Sequence, residues 1–142
     1  MPRVLGIDYG TRRVGLAISD PSGMIAQPLP ALVRRAGKRP PVQRIAELAL
    51  ANDASAIVVG LPLAASGEED DWTREVREFG EKLGERTGLP VHFVDERMTS
   101  ARAERVVRSL GLKRSEREQK TRVDTTAAML ILQAFLDQAG RE

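Results

Sequence analysis

The sequence predicts an α/β domain in which one mixed five-stranded sheet, its first three strands antiparallel, carries helices on both faces. Two observations lead there. Through the second half of the chain, short apolar runs of strand length alternate with stretches of helical period, the order that parallel strands and crossover helices produce. Ahead of them stand three strand-like segments in close succession, the first two joined by too few residues for a helix. Size bounds the answer: 142 residues, 42% of them apolar, with no linker or repeat dividing them, suit one domain over residues 1–142 with a single core. Aromatics supply only 4%, so that core must be built from Val, Ile, Leu and Ala.

Each element has its own warrant. Arg3–Asp8 reads as the first strand, from the apolar residues Val4, Leu5 and Ile7, and Val14–Ser19 as the second. Between them Gly10-Thr11-Arg12-Arg13 is a short link with an early glycine, a hairpin signal. Gln27–Val33 makes a third strand. Pro28 and Pro30 cannot donate to a ladder, so this strand is expected at an edge or irregular. After Pro40-Pro41, Val42, Ile45, Ala46 and Ala49 recur at helical spacing. Ala56–Val59 is a short apolar run ending at Gly60, suited to a buried parallel strand. Trp72, Val76, Phe79 and Leu83 form one stripe of a second helix, so Trp72 is expected in the core rather than stacked on a base. Val91–Val94 reads as another buried strand, and Ala103, Val106, Val107 and Leu110 as a third helix. Gly111–Lys120 is charged and without period, a loop signature, and the last helix is expected from about Val123 to Asp137.

That order, three strands and then alternating helices and strands, resembles the RNase H-like fold, which also underlies sugar-kinase and actin-type ATPase domains. So broad a fold leaves function to the sites. Composition removes several classes first. Without cysteine there are no disulfides, thiolate zinc sites or cysteine nucleophiles. Residues 1–10 lack a signal-peptide run, and no stretch approaches the roughly 20 apolar residues of a membrane span, so a soluble, cytoplasmic protein is expected. Net charge is only +2, but it is unevenly placed. Arg3 to Arg44 holds eight basic residues against Asp8 and Asp20, and Arg97 to Arg122 nine against three acidic ones. Between them, Glu68 to Glu85 holds eight acidic residues against three basic. Two basic blocks flanking an acidic one suggest a polarised surface that attracts a polyanion, and arginine's planar fork suits phosphate oxygens.

Three acidic positions stand out. Asp8, in Gly6-Ile7-Asp8-Tyr9-Gly10-Thr11, ends an apolar strand; a buried carboxylate there needs a compensating partner, and Gly10 permits a positive φ or close approach of a ligand. An Asx turn before Gly10 would explain the same residue. Asp95 and Glu96 follow an apolar strand at the end where open α/β sheets place their ligands. Alternation sets Asp95 on the side of Phe93 and Glu96 on that of His92 and Val94, so only one should enter a given site. Pairing with Arg97 or capping a helix is the structural alternative. Asp124 shares a helical stripe with Ala127, Ala128, Ile131 and Phe135, an unusual place for a carboxylate unless it serves as an N-cap. In this topology the three can converge. Carboxylates brought together require a counter-charge, and a divalent cation with a taste for hard oxygen, Mg²⁺ or Mn²⁺, is the simplest.

Four ordered blocks make the resemblance specific: GIDYGTRRVGLAISD, VVGLPL with a following Gly67, VDERMTSARAE, and VDTTAAMLILQAFLD. Over nearly the whole chain they resemble the YqgF/RuvX family of bacterial pre-16S ribosomal RNA nucleases and Holliday junction resolvases. The resemblance implies catalytic carboxylates at Asp8, at Asp95-Glu96 and at Asp124, with Met98-Thr99-Ser100 standing where many members have Leu-Thr-Thr. The implied activity is phosphodiester hydrolysis during 5′-end maturation of 16S rRNA, with cleavage of four-way DNA junctions as the alternative. In the two-metal mechanism that follows, Asp8 bridges two ions, Glu96 (or Asp95) and Asp124 complete their coordination, and an activated water attacks in line.

The basic residues Arg12, Arg13, Arg97, Arg102, Lys113, Arg114, Arg117, Lys120 and Arg122 are expected to hold flanking phosphates. With few aromatic platforms, recognition should rest on shape and backbone. His92 has no neighbour at metal-ligand spacing and reads as an ordinary packed residue. The chain is expected to act as a monomer or a homodimer; cutting a junction would call for two sites about a two-fold axis. Two other classes fit less. A kinase-like nucleotide module needs two such domains, and an inert binding module gains nothing from carboxylates facing a polyanion.

Overall fold

The computed structural model describes residues 3–34, 39–98, 105 and 119–139, the side chains of 98 and 119–125 excepted. Strands β1 (Arg3–Tyr9), β2 (Arg13–Ser19), β3 (Ala26–Val33), β4 (Ala54–Leu61) and β5 (Val91–Asp95) form one sheet. Its spatial order is β3-β2-β1-β4-β5. The first three pair antiparallel, while β1–β4 and β4–β5 run parallel. Helices α1 (Val42–Ala51) and α2 (Asp71–Thr87) supply the crossovers, and α3 (Gln119–Ala139) closes the other face. No helix among the described residues is long and apolar enough to cross a membrane.

Strand alternation divides β1 between two cores. Leu5, Ile7 and Tyr9 enter the cluster that includes Ile45, Val76, Phe79 and Leu83 from α1 and α2. Val4 packs instead with Val58, Ala128, Met129, Ile131 and Leu132, the core beneath α3. Gly6, on that same face, leaves the space α3 occupies: a Cβ there would lie 2.6 Å from Leu132 Cβ and 3.2 Å from the Ala128 carbonyl oxygen. Gly60 does the same on β4, where a Cβ would come within 3.0 Å of Ile131 Cγ1. Burying each large aliphatic side chain in these layers is worth about 1.5–3 kcal/mol. Gln133 is buried in the same layer and fully used. Its Oε1 accepts from the Ala26 amide at 2.9 Å, and its Nε2 donates to the Met24 carbonyl at 2.9 Å and to Asp137 Oδ1 at 3.1 Å. It thereby pins α3 to the turn that leads into β3.

Local chemistry sets the ends of α2. Asp70 accepts from the Thr73 amide at 2.9 Å, and the Thr73 hydroxyl answers the Asp70 amide, a reciprocal cap. These bonds from Thr73 hold the Asp70 carboxyl below the usual range. Gly88 ends the helix at φ 72°, in the left-handed region. Trp72 and Phe79 sandwich Tyr9 in parallel, with centroids 5.6 and 4.0 Å away, so Trp72 does serve packing.

The sequence reading differs from the structure at several element ends and in the setting of β5. β5 is the sheet edge and mostly half-buried, because β4 covers only one of its sides. α3 begins at Gln119, so the charged segment read as loop through Lys120 is already helical at its last two residues. A helix has no need of an apolar stripe in its first turn. β1 extends to Tyr9 because Val14 pairs with it across the hairpin. The expected helix through Ala103 and Leu110 lies outside the described residues apart from Arg105.

Candidate active site

The site is built where β1, β4 and β5 end side by side on the face covered by α3. Parallel pairing sets Ile7 beside Val59 and Gly60 beside Val94, bringing the residues that follow each into one row. Asp8 belongs to the Val4–Gly6 face of β1 and is only half-buried. From β5, the chain passes into a 3-10 turn over Glu96–Met98, and Glu96 turns toward the same face. Its Oε1 lies 2.8 Å from where a Cβ on Gly60 would stand. Gly60 therefore clears space for a carboxylate as well as for Ile131.

Glu96 and Asp8 face each other, and each carboxylate opposes the ionisation of the other. Burial first, then the charge of Asp8 and its acceptor oxygen, and finally the charge of Asp95, push the Glu96 carboxyl from 4.5 up to about 7. Two acids that oppose each other's charge at a strand end, with hard oxygen donors only, suit a divalent cation as their counter-charge.

Asp95 turns elsewhere. Its carboxylate takes a fork from Arg97, with Nη2 to Oδ2 at 2.7 Å and Nε within 3.0 Å of both oxygens. The guanidinium holds Asp95 below the usual carboxylate range. Arg97 Nη1 also donates to the Ala65 carbonyl at 2.9 Å. The expectation that Arg97 would hold a phosphate thus meets a guanidinium engaged inside the protein on three of its nitrogens.

Asp124 lies in α3, one turn before Ala128, which packs over Gly6; its side chain is outside the described residues, as are those of Lys120 and Arg122. Arg102, Lys113, Arg114 and Arg117 lie outside them altogether. Of the other basic candidates, Arg12 is exposed at the tip of the β1–β2 hairpin and Arg13 is half-buried at the start of β2. The tip is held by Arg34, which the sequence reading passed over. Its amide donates to the Arg12 carbonyl at 2.6 Å, its Nη1 to the Gly10 carbonyl at 3.2 Å, and its guanidinium sits 4.7 Å over Tyr9. Gly10 itself does not take a positive φ. It is needed because a Cβ would lie 2.6 Å from the Arg13 carbonyl oxygen, the acceptor of its own amide at 3.0 Å. His92 is exposed and its ring leans on Phe135 at 5.1 Å.

Comparison with known proteins decides the family. The model of the RuvX family, described as Holliday junction resolvase, matches residues 2–138. The chain belongs to the RuvX family. A relative from Koribacter versatilis, named "Putative pre-16S rRNA nuclease", is 44% identical to this RuvX-family chain over 138 residues, 97% of it and 88% of the relative. One of the same name from Maridesulfovibrio salexigens is 40% identical, over 96% of this chain and 99% of its own length. Among solved structures, Thermus thermophilus RuvC in complex with a Holliday junction substrate superposes with a TM-score of 0.66 at 19% identity, covering 99% of this chain and 96% of that one. Fowlpox virus resolvase with its junction DNA gives 0.58 at 6% identity, over 96% and 98%. At such identities the likeness is one of fold, and the fold is RNase H-like.

Proposed function

We propose that this RuvX-family protein is a divalent-cation-dependent nuclease that hydrolyses phosphodiester bonds in structured RNA, the 5′ region of precursor 16S rRNA being its substrate. One observation carries the reading: Asp8 and Glu96 face each other at the carboxyl ends of parallel strands, where each opposes the ionisation of the other. Acids so placed gain from a cation and serve no evident purpose in packing. The names of the 40–44% identical relatives support RNA as substrate.

Asp8, Glu96 and Asp124 would hold the cation, which when bound supplies a Lewis acid for the phosphate and lowers the pKa of a coordinated water. The protein's own part is positional. Gly60 leaves room for Glu96, α3 covers the inner side of the site, and the exposed Arg12, on the hairpin that follows β1, would meet a flanking phosphate. Arg13, Arg102, Lys113, Arg114, Arg117, Lys120 and Arg122 complete the proposed phosphate contacts. Mg²⁺ or Mn²⁺ fits a set made of carboxylates alone. A four-way DNA junction is the second substrate class, favoured by the description of the family model. The test offers precursor rRNA and a synthetic junction side by side, with Mg²⁺, Mn²⁺, Ca²⁺ or EDTA. Asp8→Asn should lose several orders of magnitude in turnover while nucleic-acid affinity holds or rises. Full cleavage in EDTA, or by Asp8→Asn, would refute the reading.

A further inference from the structure

We infer that Asp95 and Arg97 form a positioning clamp that aims Glu96 and locks the loop of residues 62–70 beside the site, with Asp95 taking no part in holding the cation. The inference rests on the nuclease reading above, in which Glu96 is the ligand from this turn. It begins with three consecutive charged residues after an apolar strand, Asp95-Glu96-Arg97, whose side chains part company as soon as the strand becomes a 3-10 turn.

The Arg97 amide donates to Asp95 Oδ1 at 2.9 Å, closing an Asx turn in which Glu96 is the central residue. The backbone dihedrals of Glu96, and so the direction of its carboxylate, are set by that ring. The Arg97 side chain then closes a second ring on the same carboxylate through Nε and Nη2. Its remaining terminal nitrogen reaches 32 residues back to the Ala65 carbonyl. The loop it grips is already folded on itself, with the Ala64 amide on the Glu68 carbonyl at 3.1 Å and the Gly67 amide on the Ala64 carbonyl at 2.8 Å. At its base the Thr73 hydroxyl donates to the Pro62 carbonyl at 2.5 Å. Gly67, at φ +88°, lies beside the guanidinium, with the place of a Cβ 3.6 Å from Nη2.

Arg97 is 41% and Asp95 21% exposed in their side chains. Pairs this open to water add little to stability. The consequence of the fork is therefore geometric. A planar guanidinium fixes both partners in direction, which an ammonium cannot do.

The experiment compares Arg97→Ala, Arg97→Lys, Asp95→Ala and the Asp95→Ala/Arg97→Ala double variant with Glu96→Gln, all in the full chain. Turnover and KM are measured with Mn²⁺ on a cleavable RNA, Mn²⁺ binding by calorimetry, and amide exchange at Ala64 and Gly67 by NMR. Each single clamp variant should lower kcat by roughly 10–100-fold with KM within about threefold. The double variant should be no worse than the worse single, and lysine should not rescue. Mn²⁺ stoichiometry should survive in the clamp variants and fall in Glu96→Gln, while exchange at Ala64 and Gly67 should quicken in Arg97→Ala and in Asp95→Ala. Additive losses, a rise in KM confined to Arg97→Ala, or loss of Mn²⁺ sites in Asp95→Ala would overturn the clamp. If Glu96→Gln cleaves normally, the nuclease site reading fails by itself. Exchange then judges the clamp: faster in both clamp variants supports it, unchanged overturns it.

Discussion

Replacing Glu96 by glutamine should remove a loss of stability that wild type suffers as pH rises in the absence of cation. Glu96 titrates at 4.5 when unhindered and near 7 in the fold, because burial and the charge of Asp8 oppose its ionisation. Below 4.5 both folded and unfolded chains hold the proton. Between 4.5 and 7 only the folded chain does, so each step up in pH favours unfolding, and above 7 the loss is complete. Direct conversion of the shift gives about 3.4 kcal/mol. Glu96 is only half-buried, so solvent screening brings this to about 1–2 kcal/mol. In a chain of this size that corresponds to a melting temperature difference of about 3–8 °C. Glutamine keeps the shape and removes the ionisation. With EDTA present, Glu96→Gln should melt close to wild type at pH 5 and about 3–8 °C above it at pH 8. Adding Mn²⁺ at pH 8 should close the gap by stabilising wild type alone. Parallel melting curves for the two proteins from pH 5 to 8 would show that Asp8 and Glu96 do not press on each other, and the site would lose its basis.

Three further outcomes are expected. Gly60→Ala places a methyl against Glu96 Oε1 and Ile131; turnover should fall by at least tenfold and stability by about 1–3 kcal/mol, read from kcat and a urea melt. Thr73→Val keeps the volume but strips the Pro62 carbonyl and the Asp70 amide of their partner; urea melts should register a loss of about 1–3 kcal/mol with cleavage per folded molecule unchanged. Neutralising Arg114, Arg117 and Lys120 together should reduce the slope of log K against log salt by about 2–3 if each meets a phosphate. An unchanged slope would mean that this segment is merely solvated.

The strands were legible because most are short runs rich in Val, Ile, Leu or Ala near a Gly or Pro, and their order alone led to the mixed sheet. Their ends were less so. Tyr9, Leu61 and Asp95 extend three of them because a partner strand supplies the hydrogen bonds, which no local pattern records. Alternation separated Asp95 from Glu96 correctly in direction, and left open which of them meets Asp8. The decision comes from Arg97, whose second partner, Ala65, is 32 residues away in sequence. Gly60-Leu61-Pro62-Leu63 reads in the sequence as a loop beside the site or as a plain strand exit; the use of Gly60 itself depends on where α3 crosses the sheet. A glycine inside an apolar strand was the available signal, since it marks close approach of another element. Gln133 could have been found the same way, as a polar residue on an otherwise apolar helix.

The partition of β1 between two cores means that this protein counts residues in twos. A single-residue insertion ahead of Asp8 would exchange the two sets, sending the acid into the aromatic stack of Trp72 and Phe79 and Tyr9 toward α3. Two inserted residues would restore the sides and merely lengthen the strand. Length variation in this part of the chain should therefore be confined to even steps or to the hairpin, whatever the substitutions around it, and an insertion library scored for cleavage should display that rule directly.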